Sequence, residues 1–298
     1  MGRPARIQFS GACYHVTLHG NNRQDIFLTN QDRRYFLSLL KTHKERFELL
    51  VYAYCMLPNA VHLVIETKRP NLSRVMQGFS TIYTKYFNFA HNMSGHVFQG
   101  RYKSLIIEKE SYLVDVTRHV HLEPARSGMK EKPWRYPWSS AAAYVEWGEG
   151  ERDGLVDSDV VLSLLAKNRL KQSVRYLQQL KDRAKDPDAQ RPPTVRGLVV
   201  GSAAFAASVC GAAVETEGDS AAAARSILAD VVAKHGIDEE RLLGRSQWRE
   251  ITKVRKVAIY RIWKEAEAGV SEIGRLFNRT PSAVSQLIRS AELESSNN

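Results

Sequence analysis

Between residues 12 and 122 the spacing of apolar positions switches between two periods, and each switch marks a new element. Ala12-Cys13-Tyr14-His15-Val16-Thr17-Leu18 alternates and is rich in β-formers, which predicts a strand that Gly20-Asn21-Asn22 ends. After Asn30-Gln31-Asp32, the residues Tyr35, Phe36, Leu39 and Leu40 recur every three to four positions, predicting a helix that closes near Phe47. Two strands are expected next, 49–56 and 61–65, joined by Leu57-Pro58-Asn59-Ala60. A second helix over 72–89 sets Val75, Phe79, Ile82, Tyr83 and Tyr86 on one side. A strand around 103–107 and a third helix from about Glu110 to Leu122 complete the region. This order predicts an α+β fold of ferredoxin-like, split βαβ type, an antiparallel sheet with two helices on one face. The third helix is left to lie across the sheet.

Further along, the aromatic stretch Trp134 to Trp147 is expected to pack on this domain, and Gly148-Glu149-Gly150-Glu151 reads as a boundary. Residues 156–183 form an amphipathic helical pattern, and Asp186 to Pro193, with its three prolines, reads as a linker. Gly201 to Gly218 carries no clear pattern, and a last, all-α domain is expected from near Ala221. The expected division is 1–150, 151–220 and 221–298. In the last part a helix over 249–268 stops at Gly269, Ser271 can cap a short helix over 272–277, and Thr280-Pro281 supplies the N-cap and first position of another. This is helix-turn-helix punctuation. Arg279 in the turn, with Ser282, Ser285, Gln286 and Arg289 facing outward, suits phosphates and base edges. The competing reading is a plain helical bundle whose polar face meets water.

Composition narrows the partners. Of 298 residues, 43% are hydrophobic and 25% charged, with mean hydropathy −0.36. No run approaches the roughly 20 apolar residues of a membrane span, and the basic N-terminus leads into no long apolar stretch, so a cytoplasmic protein away from membranes is expected. Cys13, Cys55 and Cys210 have no paired spacing and imply neither disulfides nor zinc. The net charge is +11, and residues 1–150, with 20 Lys and Arg against 12 Asp and Glu, hold most of it. A polyanion is the expected partner.

Four runs carry a resemblance: His19-Gly-Asn-Asn-Arg-Gln-Asp-Ile-Phe, Leu57-Pro-Asn-Ala-Val-His-Leu-Val-Ile-Glu, Val97-Phe-Gln-Gly-Arg-Tyr-Lys-Ser, and Tyr112 through Arg126 with His121-Leu-Glu-Pro-Ala-Arg-Ser-Gly. Together they resemble the REP-associated tyrosine transposases, within the single-tyrosine HUH transposases. Val254-Arg-Lys-Val-Ala-Ile-Tyr with Val270 through Val284 is similar to the DNA-binding domain of the replication initiator DnaA. The resemblance implies DNA transposition chemistry on single-stranded hairpin DNA. Two histidines on a strand and a polar residue on a helix hold a divalent metal there, Mg²⁺ or Mn²⁺, and a tyrosine attacks the phosphate.

This chain departs from that pattern. The strand motif His-hydrophobic-His is Ala60-Val61-His62, and the helix motif has His119 at the tyrosine position and Glu123 four residues on. Tyr112 lies seven residues earlier, about 10 Å along the axis, and matches a family position other than the nucleophile. His119 and Glu123 share a helical face, and with His62 opposite they are the candidate metal ligands; alternatively these are remnants satisfied by hydrogen bonds. Asn21, Asn22 and Arg23 in a polar loop, and Arg101, Tyr102 and Lys103 with an aromatic between two cations, are the candidate contacts to phosphates and stacked bases. The leading reading is a DNA-binding transposase homologue with a degenerate active site and no tyrosine chemistry. It would take hairpin or single-stranded DNA on the N-terminal domain and duplex DNA on the C-terminal one, as a monomer in preference to a dimer. The alternative is a metal-dependent single-strand nuclease or transposase with a rearranged site. A third, an interaction protein for RNA or an acidic protein, would leave the helix-turn-helix idle.

Overall fold

Six strands in the order β2-β3-β1-β4-β6-β5 form the sheet of the computed structural model, which describes residues 6–129, 132–145, 154–186, 192–244, 246, 248–266 and 268–295. The expected boundary at Gly148 to Glu151 and most of the expected linker, 187–191, lie outside those residues. The chain divides into two units, Met1–Cys210 and Gly211–Asn298.

In the first unit β1 (Ala12–His19), α1 (Asn30–Phe47), β2 (Leu50–Leu57), β3 (Ala60–Thr67), α2 (Leu72–Ala90), β4 (Lys103–Ile107) and α3 (Lys109–His121) follow one another. Then come α4 (Glu123–Arg126), α5 (Ala142–Val145), α6 (Ser158–Ser163), α7 (Arg169–Ala184), β5 (Thr194–Val195), β6 (Val199–Val200) and the start of α8 (Ala203–His235). Strand β1 pairs antiparallel with both β3 and β4, and β3 antiparallel with β2. Alternation sorts the side chains. Tyr14, Val16 and Leu18 face the core made with Phe36 and Leu40 of α1 and Met76, Phe79 and Tyr83 of α2. Cys13, Cys55, Ala60 and Val64 face the opposite core, built with Leu113, Val116 and Val120 of α3. An irregularity between Val51 and Ala53 turns β2 over, so that Tyr52 and Ala53 both join the second core while Val51 stays in the first.

Helix α1 starts where its sequence says, because Thr29 Oγ1 accepts from Asp32 N while the Asp32 carboxylate accepts from Thr29 N. Asp32 is buried and also holds Leu28 N at 2.9 Å and His91 Nε2 at 2.9 Å. On the other side of the molecule, Lys44 Nζ reaches Gly154 O, Leu155 O and Asp157 Oδ1, and Asp157 Oδ2 accepts from Val51 N, which fixes the segment after 153 along β2.

Three elements differ from expectation. The helix foreseen over 156–183 is two helices, since Asn168 Oδ1 accepts from Lys171 N and starts α7 afresh. Val199 and Val200, outside any predicted strand, pair in parallel with Ile106 and Ile107 and extend the sheet. Residues 201–218, unassigned from sequence, lie largely in α8.

The second unit takes in the C-terminal part of α8, α9 (Glu239–Leu243), α10 (Arg249–Glu265), α11 (Val270–Leu276) and α12 (Pro281–Ser295). Ile259, Ile262, Ile273, Phe277, Val284 and Ile288 form its core with Leu228 and Val231. The buried Arg255 donates to the carbonyls of Arg241, Leu242, Gly244 and Ser246 and thereby satisfies the end of α9. Between α11 and α12 the chain turns so closely that a Cβ at Gly274 would stand 2.8 Å from Arg279 O; only glycine fits there.

Candidate nucleic-acid interface and histidine centre

Strand register builds the centre. His62 on β3 sits opposite Thr17 on β1, so the diagonal neighbours on its face are His15 and His19. His15 Nε2 lies 3.2 Å from His62 Nδ1, the rings stacked at 5.4 Å, and His19 meets the His62 ring edge-on at 6.4 Å. Helix α3 crosses this face and adds His119, whose ring stands 5.9 Å from that of His15. Just beyond the end of α3, α4 supplies Glu123. Its Oε1 is 3.4 Å from His119 Nε2 and 3.7 Å from His62 Nδ1. The same oxygen accepts from Arg126 Nη2 at 2.9 Å, and that guanidinium also donates to the His119 carbonyl. A cation at the C-terminus of α3 suits the helix dipole.

Burial sets the protonation. His15 is pushed down to about 3 by desolvation and by His62 beside it, and His62 to about 3 by desolvation, His19 and Arg126. At neutral pH both rings are uncharged and share one proton across their contact. With those two rings uncharged, Glu123 is met by the guanidinium of Arg126 in an ion pair.

The three residues expected to hold a metal are thus brought together, yet they do not fit one. Glu123 Oε1, the oxygen nearest both imidazoles, is already bonded to a guanidinium, and a divalent cation at bonding distance would meet that charge head on. His62 Nδ1 is turned to His15, and Ala60, buried beside it, has no donor. Among the described residues no group of three or more His, Cys, Asp or Glu side chains is arranged to hold a metal ion. His15 and Arg126 are absent from the sequence-based candidates. His15 becomes visible only once the register of β1 against β3 is known, and Arg126 only once the chain turns after Leu122.

The tyrosines lie elsewhere. The hydroxyls of Tyr52, Tyr136 and Tyr144 bond Glu66, Met56 O and Tyr52 O, and that of Tyr176 bonds His121. Tyr112 packs against the second core.

The two N-terminal segments expected to touch nucleic acid are adjoining. Asn21 N donates to Val97 O at 2.8 Å, Gln99 N to His19 O at 2.8 Å, and Gly20 bridges Phe98. Gly20 has no room for a side chain, since a Cβ would fall 1.9 Å from Gln24 O. Asn22 and Arg23 take left-handed φ of 50° and 61° and point outward. Arg101 and Lys103 are exposed on the neighbouring segment, and partial burial, followed by the charge of Lys103, lowers the His19 pKa. Tyr102 departs from expectation. Its ring is buried under Arg6, 3.8 Å from the guanidinium carbon, and its hydroxyl faces Ser73, so it is a core residue and not a stacking surface.

In the second unit Ser282, Ser285, Gln286 and Arg289 are exposed along α12, and Ala283 N donates to Thr280 Oγ1. Arg279 is turned inward instead, with Nη2 2.8 Å from Gly244 O, so it braces the turn rather than projecting from it. A cavity of about 560 Å³ lies beside it, lined by Arg255, Arg279, Gln286 and Ser290 among others. No described helix is long and apolar enough to cross a membrane.

Residues 8–122 match the family described as Transposase IS200 like. No curated protein matches the chain. Among solved structures, a REP-associated tyrosine transposase bound to a REP hairpin is similar at 18% identity and a TM-score of 0.42, over 50% of this chain and 93% of that one.

Proposed function

We propose, on the match of residues 8–122 to the family described as Transposase IS200 like, that the chain is a DNA-binding transposase homologue that works without tyrosine-nucleophile chemistry. One observation carries the reading: where the family resemblance places a phenol and a second strand histidine, this chain has His119, whose Nε2 faces Glu123, and the buried Ala60. With Arg126 on the same carboxylate, the centre is electrically closed. We read the strand order as the ferredoxin-like, split βαβ arrangement and α10 to α12 as a helix-turn-helix domain.

Binding then falls to the exposed cations and amides. Arg23, Arg101 and Lys103 neutralise phosphates of a hairpin or single strand, while Asn21 and Asn22, on a loop anchored by Gly20, offer donors and acceptors to bases. On α12, Ser282, Ser285 and Gln286 address base edges of duplex DNA, with Arg289 on phosphate. Arg279 serves by holding the turn. Each cation lost should flatten the salt dependence of binding by roughly one unit of slope.

The test is a labelled hairpin oligonucleotide incubated with the protein in Mg²⁺, Mn²⁺ or EDTA, scored for retention, cleavage and protein-linked DNA. Expected is retention in all three without cleavage. Cleavage that requires metal, or a covalent product, would overturn the reading. The double variant Ala60→His, His119→Tyr serves as the comparison, since recovered cleavage there locates the missing chemistry.

A further inference from the structure

Phe89, on the last turn of α2, is 88% exposed, more than any other large apolar side chain among the described residues. Ile82, expected in the core, is 39% exposed on the same helix, and Met93 in the following loop is 49% exposed. Ile82 and Phe89 are seven residues apart and so share one face of α2, which leaves an apolar stripe in water of the kind that marks a contact surface. The backbone that carries it is anchored. Tyr83 and Phe87 on the same helix are buried, and the loop beyond is closed by Asn88 Nδ2 on Gly95 O at 3.0 Å and Met93 N on Asn88 O at 2.9 Å.

Two further observations select the partner. The first is charge: from Thr67 to Ile107 the chain contains no Asp or Glu, and Lys85 stands one turn before Phe89. Lys85 is exposed, as is His96. The second is continuity, because the loop carrying Met93 and His96 runs directly into Val97, whose carbonyl holds Asn21 N, and so into the proposed DNA-binding loop. An exposed aromatic ring with a lysine one turn before it and no carboxylate in its own segment has the chemistry of a stacking platform for a base of single-stranded nucleic acid.

We infer that Phe89, flanked by Lys85 and Met93, stacks on an unpaired base of the DNA strand that leaves the hairpin held by the Asn21–Arg23 loop. The inference rests on the DNA-binding reading above and adds a separate contact for the unpaired flank. Its test uses the full chain and two fluorescent hairpins of the same stem, one blunt and one with a four-nucleotide single-stranded tail containing 2-aminopurine. Stacking of one base gives a loss of roughly tenfold on truncation of the aromatic side chain. Expected, then, is that Phe89→Ala weakens binding of the tailed hairpin about tenfold, abolishes the 2-aminopurine quenching, and leaves the blunt hairpin unchanged; Phe89→Trp retains both. Equal affinity of Phe89→Ala and the unaltered protein for the tailed hairpin would overturn the inference while the DNA-binding reading stood. So would self-association of the unaltered protein that Phe89→Ala removes in sedimentation, because the patch would then be a surface for a second copy. Failure of the unaltered protein to retain either hairpin would overturn both.

Discussion

Replacing Arg126 by methionine tests whether Glu123 depends on its guanidinium. Methionine keeps much of the aliphatic length but removes the donor to Glu123 and to the His119 carbonyl, at a side chain only 7% exposed facing one 12% exposed. Removing one partner of a buried ion pair costs about 3–5 kcal/mol, because the remaining charge is stranded. The small residual exposure, and the imidazoles of His62 and His119 within 3.7 Å, soften that to about 2–3 kcal/mol. The double variant Glu123→Gln, Arg126→Met strands nothing and should cost less than the sum of the single changes by at least about 1 kcal/mol. Urea unfolding of the four proteins at pH 7.5 gives the cycle. A single variant within about 0.5 kcal/mol of the unaltered protein, a typical surface value, or strictly additive effects, would refute the argument. A second readout separates charge from packing. With the carboxylate freed, Arg126→Met should gain thermal stability on addition of Zn²⁺ or Mn²⁺, whereas the unaltered protein should not.

Three other outcomes follow from particular groups. His15, His62 and His121 are each held near 3 by burial, against an ordinary 6.5, so they favour the folded state fully above pH 6.5 and that contribution is lost as pH falls towards 3. Each can contribute up to about 1.4 kcal/mol per pH unit in that window, and urea midpoints that coincide at pH 7.5 and 5 would contradict it. Asp32→Ala removes the capping box of α1 and the partner of His91 together and should cost about 2–3 kcal/mol in thermal unfolding, with Asp32→Asn costing less. Arg289→Ala should weaken duplex DNA binding and lower its salt slope by about one while leaving hairpin binding alone; equal duplex affinity at moderate salt would remove Arg289 from the interface.

The periodic elements were readable because burial imposes their period. Tyr14, Val16 and Leu18 recur at every second position since all three face one core while Cys13 faces the other, and Val75, Phe79 and Tyr83 recur at four residues since one helical face is covered. What periodicity cannot carry is the pairing of one strand with another. His15 reads as one more strand residue until the register sets it diagonal to His62, and Val199-Val200 is too short to have a period at all. Tyr102 differs for a related reason: an aromatic between two cations reads as a stacking platform, but just before β4 the ring turns inward under Arg6 while Arg101 and Lys103 on either side stay exposed. Ile82 shows the converse, an apolar residue that its spacing assigns to the covered side and the fold leaves 39% exposed.

The histidine centre follows from the same accounting. A carboxylate only 12% exposed, beside the uncharged imidazole of His62, requires a positive charge within bonding distance. Ala60 withdraws one possible metal donor, and the turn after Leu122 brings Arg126 onto Glu123, so that the counter-charge comes from the chain itself. A pocket neutralised in this way has little net field with which to draw a phosphate inward. The uncompensated positive charge lies outside it, on Arg23, Arg101 and Lys103, at the same end of β1 and next to His19. A DNA strand drawn by that charge would be gripped at the rim of the centre and not within it.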